Sequence, residues 1–559
     1  MFEKSLLYVS LIGLGCLGQV AFAQLPPPGA GGQLQQIPPT PAAPRPAPQM
    51  RIEQSASLAG PAADQQRITV RTLRVTGASV FAESDLLALT GFRPDSELTL
   101  ADLQAMVARI TGHYRLNGFF VAQAYLPAQD IKDGAVTIAL SEGRYGSVDL
   151  RNQTTISDRR LGRMLEGLNS GDVISTAPLE SRLLLLSDVR GANVRSTLVP
   201  GASPGTSDLV VEVTPGRAVS GSVDADNAGN PYTGSNRIGA TVDFNNPLGL
   251  GDVASLRVLT SGQGLKYGRA SYQLPVGSIE VGAAYSRLDY SLGKQFQTLG
   301  ANGTAEIASV YARHAVFRSR NASLYLQIEF DAKKFQDRVD STSSRTDKKS
   351  KVVMASVYGD YRDALGQGGF STFALTLASG SLDIGTPTAL AADNGTARAS
   401  GRFQKFSFSA SHLQRLDGPL SVYAGINGQA ASKNLDVSEK MELGGMNAVR
   451  AYPEGEAYAD EGYIASVEAR VDLPKFSLQM PGQMQVVGFV DTGRVMLDKN
   501  PWVGGENQRT LSAAGVGLVW SDPGNFMVRN YYAQKLGHAA ATSYADHKGR
   551  FWIQAVKYF

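Results

Sequence analysis

Most side chains able to do chemistry in this sequence are scattered. The five histidines, His113, His314, His412, His538 and His547, show no metal-ligand spacing. Ser141-Glu142-Gly143 lacks the glycine-x-serine-x-glycine frame of a nucleophile elbow and reads as a strand end. Gly262-Gln263-Gly264 has no following Gly-Lys-Ser or helix, so it reads as a hairpin turn and not a phosphate cradle. No cofactor or metal pattern is legible, and the chain does not read as an enzyme. One charged pair stands apart. Arg450 lies in Leu443-Gly444-Gly445-Met446-Asn447-Ala448-Val449-Arg450-Ala451-Tyr452-Pro453, a glycine-flanked loop between strand-like runs. Further on, Gly488-Phe489-Val490-Asp491-Thr492-Gly493 puts one carboxylate on a strand. A guanidinium fork suits bidentate carboxylate binding. A loop arginine meets an aspartate on a barrel wall only if the loop folds back into the lumen. Val449, Tyr452, Phe489 and Gly493 frame the pair, and Glu468 is a second candidate acceptor. Most loop arginines are simply solvated; the flanking glycines, Tyr452 and the inward parity of Asp491 argue for a lumen lock instead.

The chain that must position this pair has 559 residues, too long for one ordinary domain. Hydrophobic residues make up 43%, and no apolar run after the N-terminus is long enough for a spanning helix. Glycine numbers 60, with 21 tyrosines and 21 phenylalanines, a composition suited to short strands, tight turns and aromatic girdles. The formal net charge of +3 and the dispersed basic residues give no argument for nucleic acid. Residues 1–23 read as a secretory signal: Lys4, an apolar core from Leu6 to Leu17, then Ala21-Phe22-Ala23 as a cleavage site. The single cysteine, Cys16, falls within it.

Residues 24–66 form a proline-rich linker, extended and solvated, in which Met50–Ala59 is open to a short helix. Residues 67–143 then read as a β-α-α-β-β unit. Its strand at Arg67–Val75 breaks near Thr72, and Glu83–Leu89 is a short helix. A longer helix over Leu98–Leu116 starts at a Thr99/Asp102 cap signal and carries an apolar stripe of Leu100, Leu103, Val107, Ile110 and Tyr114. Strands follow at Phe119–Leu126 and Ala135–Leu140, turned by Asp133-Gly134. The same order recurs over residues 144–216, with helices at Asp158–Leu165 and Pro178–Leu186.

No helix is predicted over residues 217–559. Runs of roughly ten residues alternate with period two. Leu324, Leu326, Ile328 and Phe330 oppose Tyr325, Gln327, Glu329 and Asp331; Tyr463, Ala465, Val467, Ala469 and Val471 oppose Ile464, Ser466, Glu468, Arg470 and Asp472. Charged groups kept on one face and apolar groups on the other fit a membrane barrel, with lipid outside and water inside. Lipid also forces closure, because every backbone donor must be paired. About 20 residues per strand and connection give ~16 strands. The last strand ends at Phe559, which reads as a barrel insertion signal.

These residues resemble the TpsB transporters of two-partner secretion, the haemolysin secretion/activation relatives within the Omp85 superfamily. The first module carries Leu100-Ala101-Asp102-Leu103-Gln104, Thr111, Tyr114, Gly118, Leu126-Pro127-Ala128-Gln129-Asp130, Asp133-Gly134 and Ser141-Glu142-Gly143, and is similar to the first POTRA domain of that family. The barrel adds Gly444-Gly445, Val449-Arg450-Ala451-Tyr452 and Phe489-x-Asp491-x-Gly493. The resemblance implies two tandem periplasmic POTRA domains followed by a transmembrane β-barrel of the Gram-negative outer membrane. It implies an outer-membrane translocation pore that secretes a large TpsA-like exoprotein without nucleotide hydrolysis. The cargo's N-terminal secretion domain would be bound by the module motif Leu103, Gln104, Tyr114, Gly118, Pro127, Gln129, Gly134, Glu142 and Gly143. Barrel assembly machinery would serve biogenesis, and outer-membrane lipid would surround the barrel. An Omp85-type assembly factor and a passive diffusion porin are the alternatives; two modules and the first-module motif argue against both. The family's loop motif has glycine after the arginine where Ala451 stands here, which puts the turn geometry in question. It also has an N-terminal helix threading the pore, for which only Met50–Ala59 was open.

Overall fold

The computed structural model describes residues 29–41, 49–52, 67–262, 264–475 and 479–559, so residues 53–59 of the possible linker helix lie outside it. The signal segment 1–23, most of the linker and Gln263 of the predicted turn lie outside the described residues.

In the first module, helix Leu100–Leu116 begins where the sequence signals it. Thr99 Oγ1 accepts from Asp102 N at 3.2 Å, and Asp102 Oδ2 accepts from Thr99 N at 2.9 Å. Its buried stripe is Leu103, Met106, Ile110 and Tyr114, whereas Leu100 faces outward. It packs on a three-stranded sheet in which Thr72–Thr76 lies parallel to Ala135–Ser141, itself antiparallel to Gln123–Tyr125. The strand predicted from Phe119 starts only at Gln123. Phe119 N and Ala122 N are committed to turn bonds with Tyr114 and Phe119 carbonyls, so this backbone cannot join the ladder. The second module repeats the plan, with helices Asp158–Met164 and Thr176–Ser187 against Ala192–Pro200, Thr206–Pro215 and Arg144–Asn152.

The linker departs from expectation. Residues 50–52 are not helical: Gln49–Ile52 is a strand that pairs parallel with Arg195–Leu198, on the edge of the second module's sheet. The helix lies earlier, at Ala30–Gln35, between the prolines. Two glycines make that segment a poor isolated helix former, and only its surroundings in the lumen hold it. Local propensity therefore gave no sign of it.

Sixteen antiparallel strands close a barrel, the first (Val219–Asp226) pairing with the last (Gly549–Tyr558). Phe559 and Gly221 exchange backbone hydrogen bonds of 3.1 Å across this seam. The alternation holds: Leu326, Ile328, Val467, Val486 and Val490 are exposed outward, while Ile464, Glu468, Val487, Phe489 and Asp491 are buried inward. Several strands are far longer than ten residues. Ala301–Arg318 and Ala322–Val339 have 18 and Ser344–Asp363 has 20, because the hairpins continue as ribbons beyond the apolar band. Among the described residues of 217–559, one α-helix does occur, Pro387–Gly395 in a loop, started by Pro387 at its first turn and rich in alanine, beside three short 3-10 turns.

Candidate functional site: the filled lumen

The connection between strands Leu420–Ala431 and Glu461–Asp472 folds back into the barrel. A small hairpin, Met441–Leu443 with Ala457–Ala459, forms its stem. Gly444 and Gly445 have φ of +109° and +94°, a left-handed backbone open mainly to glycine, and they turn the chain into its tip. Ala451 lies outside the left-handed region, so alanine fits where the family has glycine.

At the tip, Arg450 is saturated. Its Nε donates to Asp491 Oδ2 at 2.8 Å and its Nη2 to Asp491 Oδ1 at 2.6 Å. Nη2 also reaches Ser466 Oγ at 3.0 Å, and Nη1 lies 2.9 Å from Glu468 Oε1. The guanidinium stacks 3.4 Å from the Phe489 ring centre, and Trp552 Nε1 donates to Arg450 O at 2.6 Å. Val449, Ala451 and Tyr452 are fully buried against Phe489, Tyr531 and Trp552. Tyr452 OH donates to Ala539 O at 2.9 Å. A Cβ at Gly493 would collide with Leu443, so glycine there lets the stem lie on the wall. The loop lock predicted from Val449, Arg450, Tyr452, Phe489, Asp491, Gly493 and Glu468 is thus assembled in one place.

Sequence reading missed a second anchor. Lys333 and Lys405 on the wall bind Glu439 at 2.8 and 2.9 Å, and Lys348 binds Asp436 at 2.7 Å. Inward lysines opposite a run of loop carboxylates were the available signal.

The helix Ala30–Gln35 occupies the space beside this loop. Ala30 N donates to Asp337 Oδ1 at 2.7 Å, and Thr233 Oγ1 to Gln33 Oε1 at 2.9 Å. Gln35 Nε2 reaches Val437 O at 3.1 Å, Gln36 Nε2 reaches Tyr458 OH at 2.6 Å, and Arg237 Nη1 reaches Gln36 O at 2.7 Å. A Cβ on Gly31 would approach Ser438 Cβ to 2.8 Å, so the two glycines set this close approach. The helix carries no charged side chain.

The module motif is spent on the module itself. Leu103, Tyr114 and Glu142 are buried and cannot touch a cargo directly. Glu142 accepts from Ser79 N (2.6 Å), Val80 N (2.9 Å), Tyr114 OH (3.0 Å) and Arg144 Nη2 (3.1 Å). Burial opposes its ionisation, but these donors outweigh it and hold the carboxyl below its ordinary range. Gly118, Gly134 and Gly143 have positive φ. Gln129 bonds both backbone groups of Thr137 at 2.8 Å, and Pro127 is half-buried. Of the motif's side chains, Gln104 and Gln129 stay exposed.

A closed sixteen-stranded barrel with a loop folded back into its lumen and α/β modules on its N-terminal side defines a β-barrel membrane protein with appended modules. The sequence profile described as "Haemolysin secretion/activation protein ShlB/FhaC/HecB" matches residues 205–519, and that described as "POTRA domain, ShlB-type" matches residues 68–143. The chain belongs to the haemolysin secretion/activation family. The heme/hemopexin transporter protein HuxB of Haemophilus influenzae is 30% identical over 472 residues, covering 83% of this chain and 82% of that protein. The outer membrane transporter CdiB of Dickeya dadantii is 22% identical over 76% of each chain. Among solved structures, CdiB from Escherichia coli superposes with a TM-score of 0.68 at 23% identity, covering 91% of this chain and 92% of that one. BamA from Haemophilus ducreyi superposes at 0.52 with 15% identity, covering 88% and 100%. The protein is an outer-membrane transporter of two-partner secretion with its POTRA domains in the periplasm, and its partner is a secreted exoprotein.

Proposed function

We propose that the exoprotein crosses as an extended chain through a lumen from which the helix Ala30–Gln35 withdraws while the Arg450 loop stays in place. The observation carrying this reading is the contrast in how the two are held. Arg450 binds two buried carboxylates, and removing one partner of such a pair costs about 3–5 kcal/mol. The helix has only a handful of hydrogen bonds, each worth about 1 kcal/mol net, or about 1.5–3 where Asp337 or Arg237 takes part.

The modules supply the recognition surface. The cargo's N-terminal secretion domain, of the TpsA-like kind, would add strands to sheet edges, where main-chain bonds accept many sequences. The linker strand Gln49–Ile52 already occupies one such edge at Arg195–Leu198. A cargo strand entering there displaces it and loosens the tether of the helix. Folding of the cargo outside supplies the drive, without nucleotide hydrolysis. Lipid contacts the exposed apolar wall, and barrel assembly machinery reads the terminal strand ending at Phe559. Co-expression with the partner exoprotein tests the reading: Arg450→Ala is expected to abolish secretion with the barrel still inserted, and deletion of residues 29–36 to open the channel. Normal secretion by Arg450→Ala would remove the lock from the mechanism.

A further inference from the structure

We propose that the outer wall of the barrel holds a binding site for the phosphorylated headgroup of an outer-leaflet lipid, built by Lys334, Lys349, Lys351 and Arg402. Strand parity divides the lysines of this region. Lys333, Lys348 and Lys405 turn inward to the loop carboxylates. Lys334, Lys349, Lys351 and Arg402 are exposed and turn outward.

Their level follows from the topology. The second module grips the opposite end of the barrel, where Arg160 bonds Leu250 O and Pro275 O at 3.0 Å and Arg318 pairs with Asp188. The patch therefore sits toward the cell exterior. Below it the outward face turns apolar: Phe330 stands opposite Val353, and past Ser379 and Gln404 come Leu377 and Phe406, all four apolar side chains exposed. Lys351 is the next outward residue after Val353, about 7 Å further along the strand. That step leads from acyl chains to headgroups.

The register clusters the charge. Lys334 stands directly opposite Lys349, Lys351 opposite Ser381, and Ser381 opposite Arg402. Like charges directly opposed across a ladder destabilise it, and an anion between them removes the penalty. No ion pair or hydrogen bond among the described residues engages these four side chains. Glu306, beside Lys334, is taken by Arg287 at 2.8 Å. Asp383, opposite Lys349, leaves the patch positive. The far wall differs: Val490, Thr492 and Arg494 face Ala514, Ser512 and Thr510, with one cation among them. A phosphate on an acyl-chain lipid satisfies both halves of the patch at once, its chains on Phe330 and Val353 and its charge among the lysines. Anionic headgroups attract each nearby cation by about 1 kcal/mol, roughly five-fold in affinity.

The test is native mass spectrometry of the purified full-length protein with three probes: bisphosphorylated lipid A, the same lipid dephosphorylated, and inorganic phosphate. The wild type is expected to retain the bisphosphorylated lipid, release the dephosphorylated one and leave inorganic phosphate unbound. Replacing Lys334→Gln, Lys349→Gln and Lys351→Gln together should weaken retention on the order of a hundred-fold, while Arg494→Gln changes nothing. Equal retention of both lipids by the wild type would overturn the site, and that arm stands even if the triple variant does not insert. Inorganic phosphate binding as tightly as the lipid would show an ion site with no lipid specificity, and would overturn it too.

Discussion

The returning loop and the N-terminal helix fill the same lumen by opposite chemistry. The loop is fixed by ion pairs at two levels: Arg450 to Asp491 and Glu468 at its tip, and wall lysines to Glu439 and Asp436 above. The helix brings no charge of its own: it relies on single hydrogen bonds, two of them to the wall groups Asp337 and Arg237, and on glycine contact with Ser438 and Tyr458 of the loop. Buried charge pairs resist separation because either half left alone is costly. Single hydrogen bonds exchange for water at a smaller net cost, about 1 kcal/mol each and about 1.5–3 at Asp337 and Arg237. One obstruction is therefore built to stay and the other to leave.

The contrast breaks most severely at Arg450. Arg450→Ala strands the buried Asp491 and leaves Glu468 with Arg470 alone, and should cost the loop about 3–5 kcal/mol. Exoprotein in the medium, normalised to heat-modifiable folded barrel, should fall to background, with Arg450→Lys recovering only part because an ammonium cannot form the same fork. Joint replacement of Lys333 and Lys405 by alanine leaves Glu439 with no wall cation, a loss of about 1–3 kcal/mol. Limited proteolysis should then cut the loop near residues 436–440 while Arg450 still holds the tip.

The same rule extends to the periplasm through Glu142. Glu142→Gln should destabilise the first module by about 1–3 kcal/mol. Because the folded carboxyl is held below its ordinary value of about 4.3, its contribution is full above that pH and disappears as pH falls through the lowered folded value. Hydrogen-exchange protection of residues 67–143 in the full chain, corrected for the pH dependence of the intrinsic rate, should be constant from neutral pH to about 5 and fall below about 4 in the wild type, with that fall blunted in Glu142→Gln. On the helix side, Gly31→Val forces side-chain atoms into Ser438. Single-channel conductance should increase with little change in barrel melting. The smallest effect is expected at Ala451→Gly, within about 0.5 kcal/mol, since alanine already sits there without backbone strain; secretion assays should barely distinguish it from wild type.

These regions also differ in how far the sequence revealed them. The Arg450–Asp491 pair was legible because parity, flanking glycines and aromatic neighbours all pointed inward. The outward and inward faces of strands such as Glu461–Asp472 were legible for the same reason of period. Ala30–Gln35 was hidden because Ala-Gly-Gly-Gln-Leu-Gln has weak helix propensity and is set among prolines; its fold is imposed by Ser438, Tyr458 and Asp337, remote in sequence. Met50–Ala59 was open to a short helix, and the strand at Gln49–Ile52 was not legible because its partner lies in the second module. Glu142 and Tyr114 were recognisable as a motif, but only geometry shows them bonded to each other and buried. The ribbons around Ser344–Asp363 outran the expected strand length because hairpin pairing continues where lipid contact stops.

Covalent capture of the helix tests the account most directly. Gly31→Cys and Ser438→Cys place two thiols in a chain whose one cysteine, Cys16, lies in the predicted signal segment; backing the helix off by about 1 Å gives the ~3.8 Å Cβ spacing a disulfide needs. With the bond oxidised, secretion of the partner exoprotein should stop while the barrel remains inserted, and a reductant should restore it. Undiminished secretion through the oxidised, cross-linked barrel would contradict the claim that this helix must leave for cargo to pass.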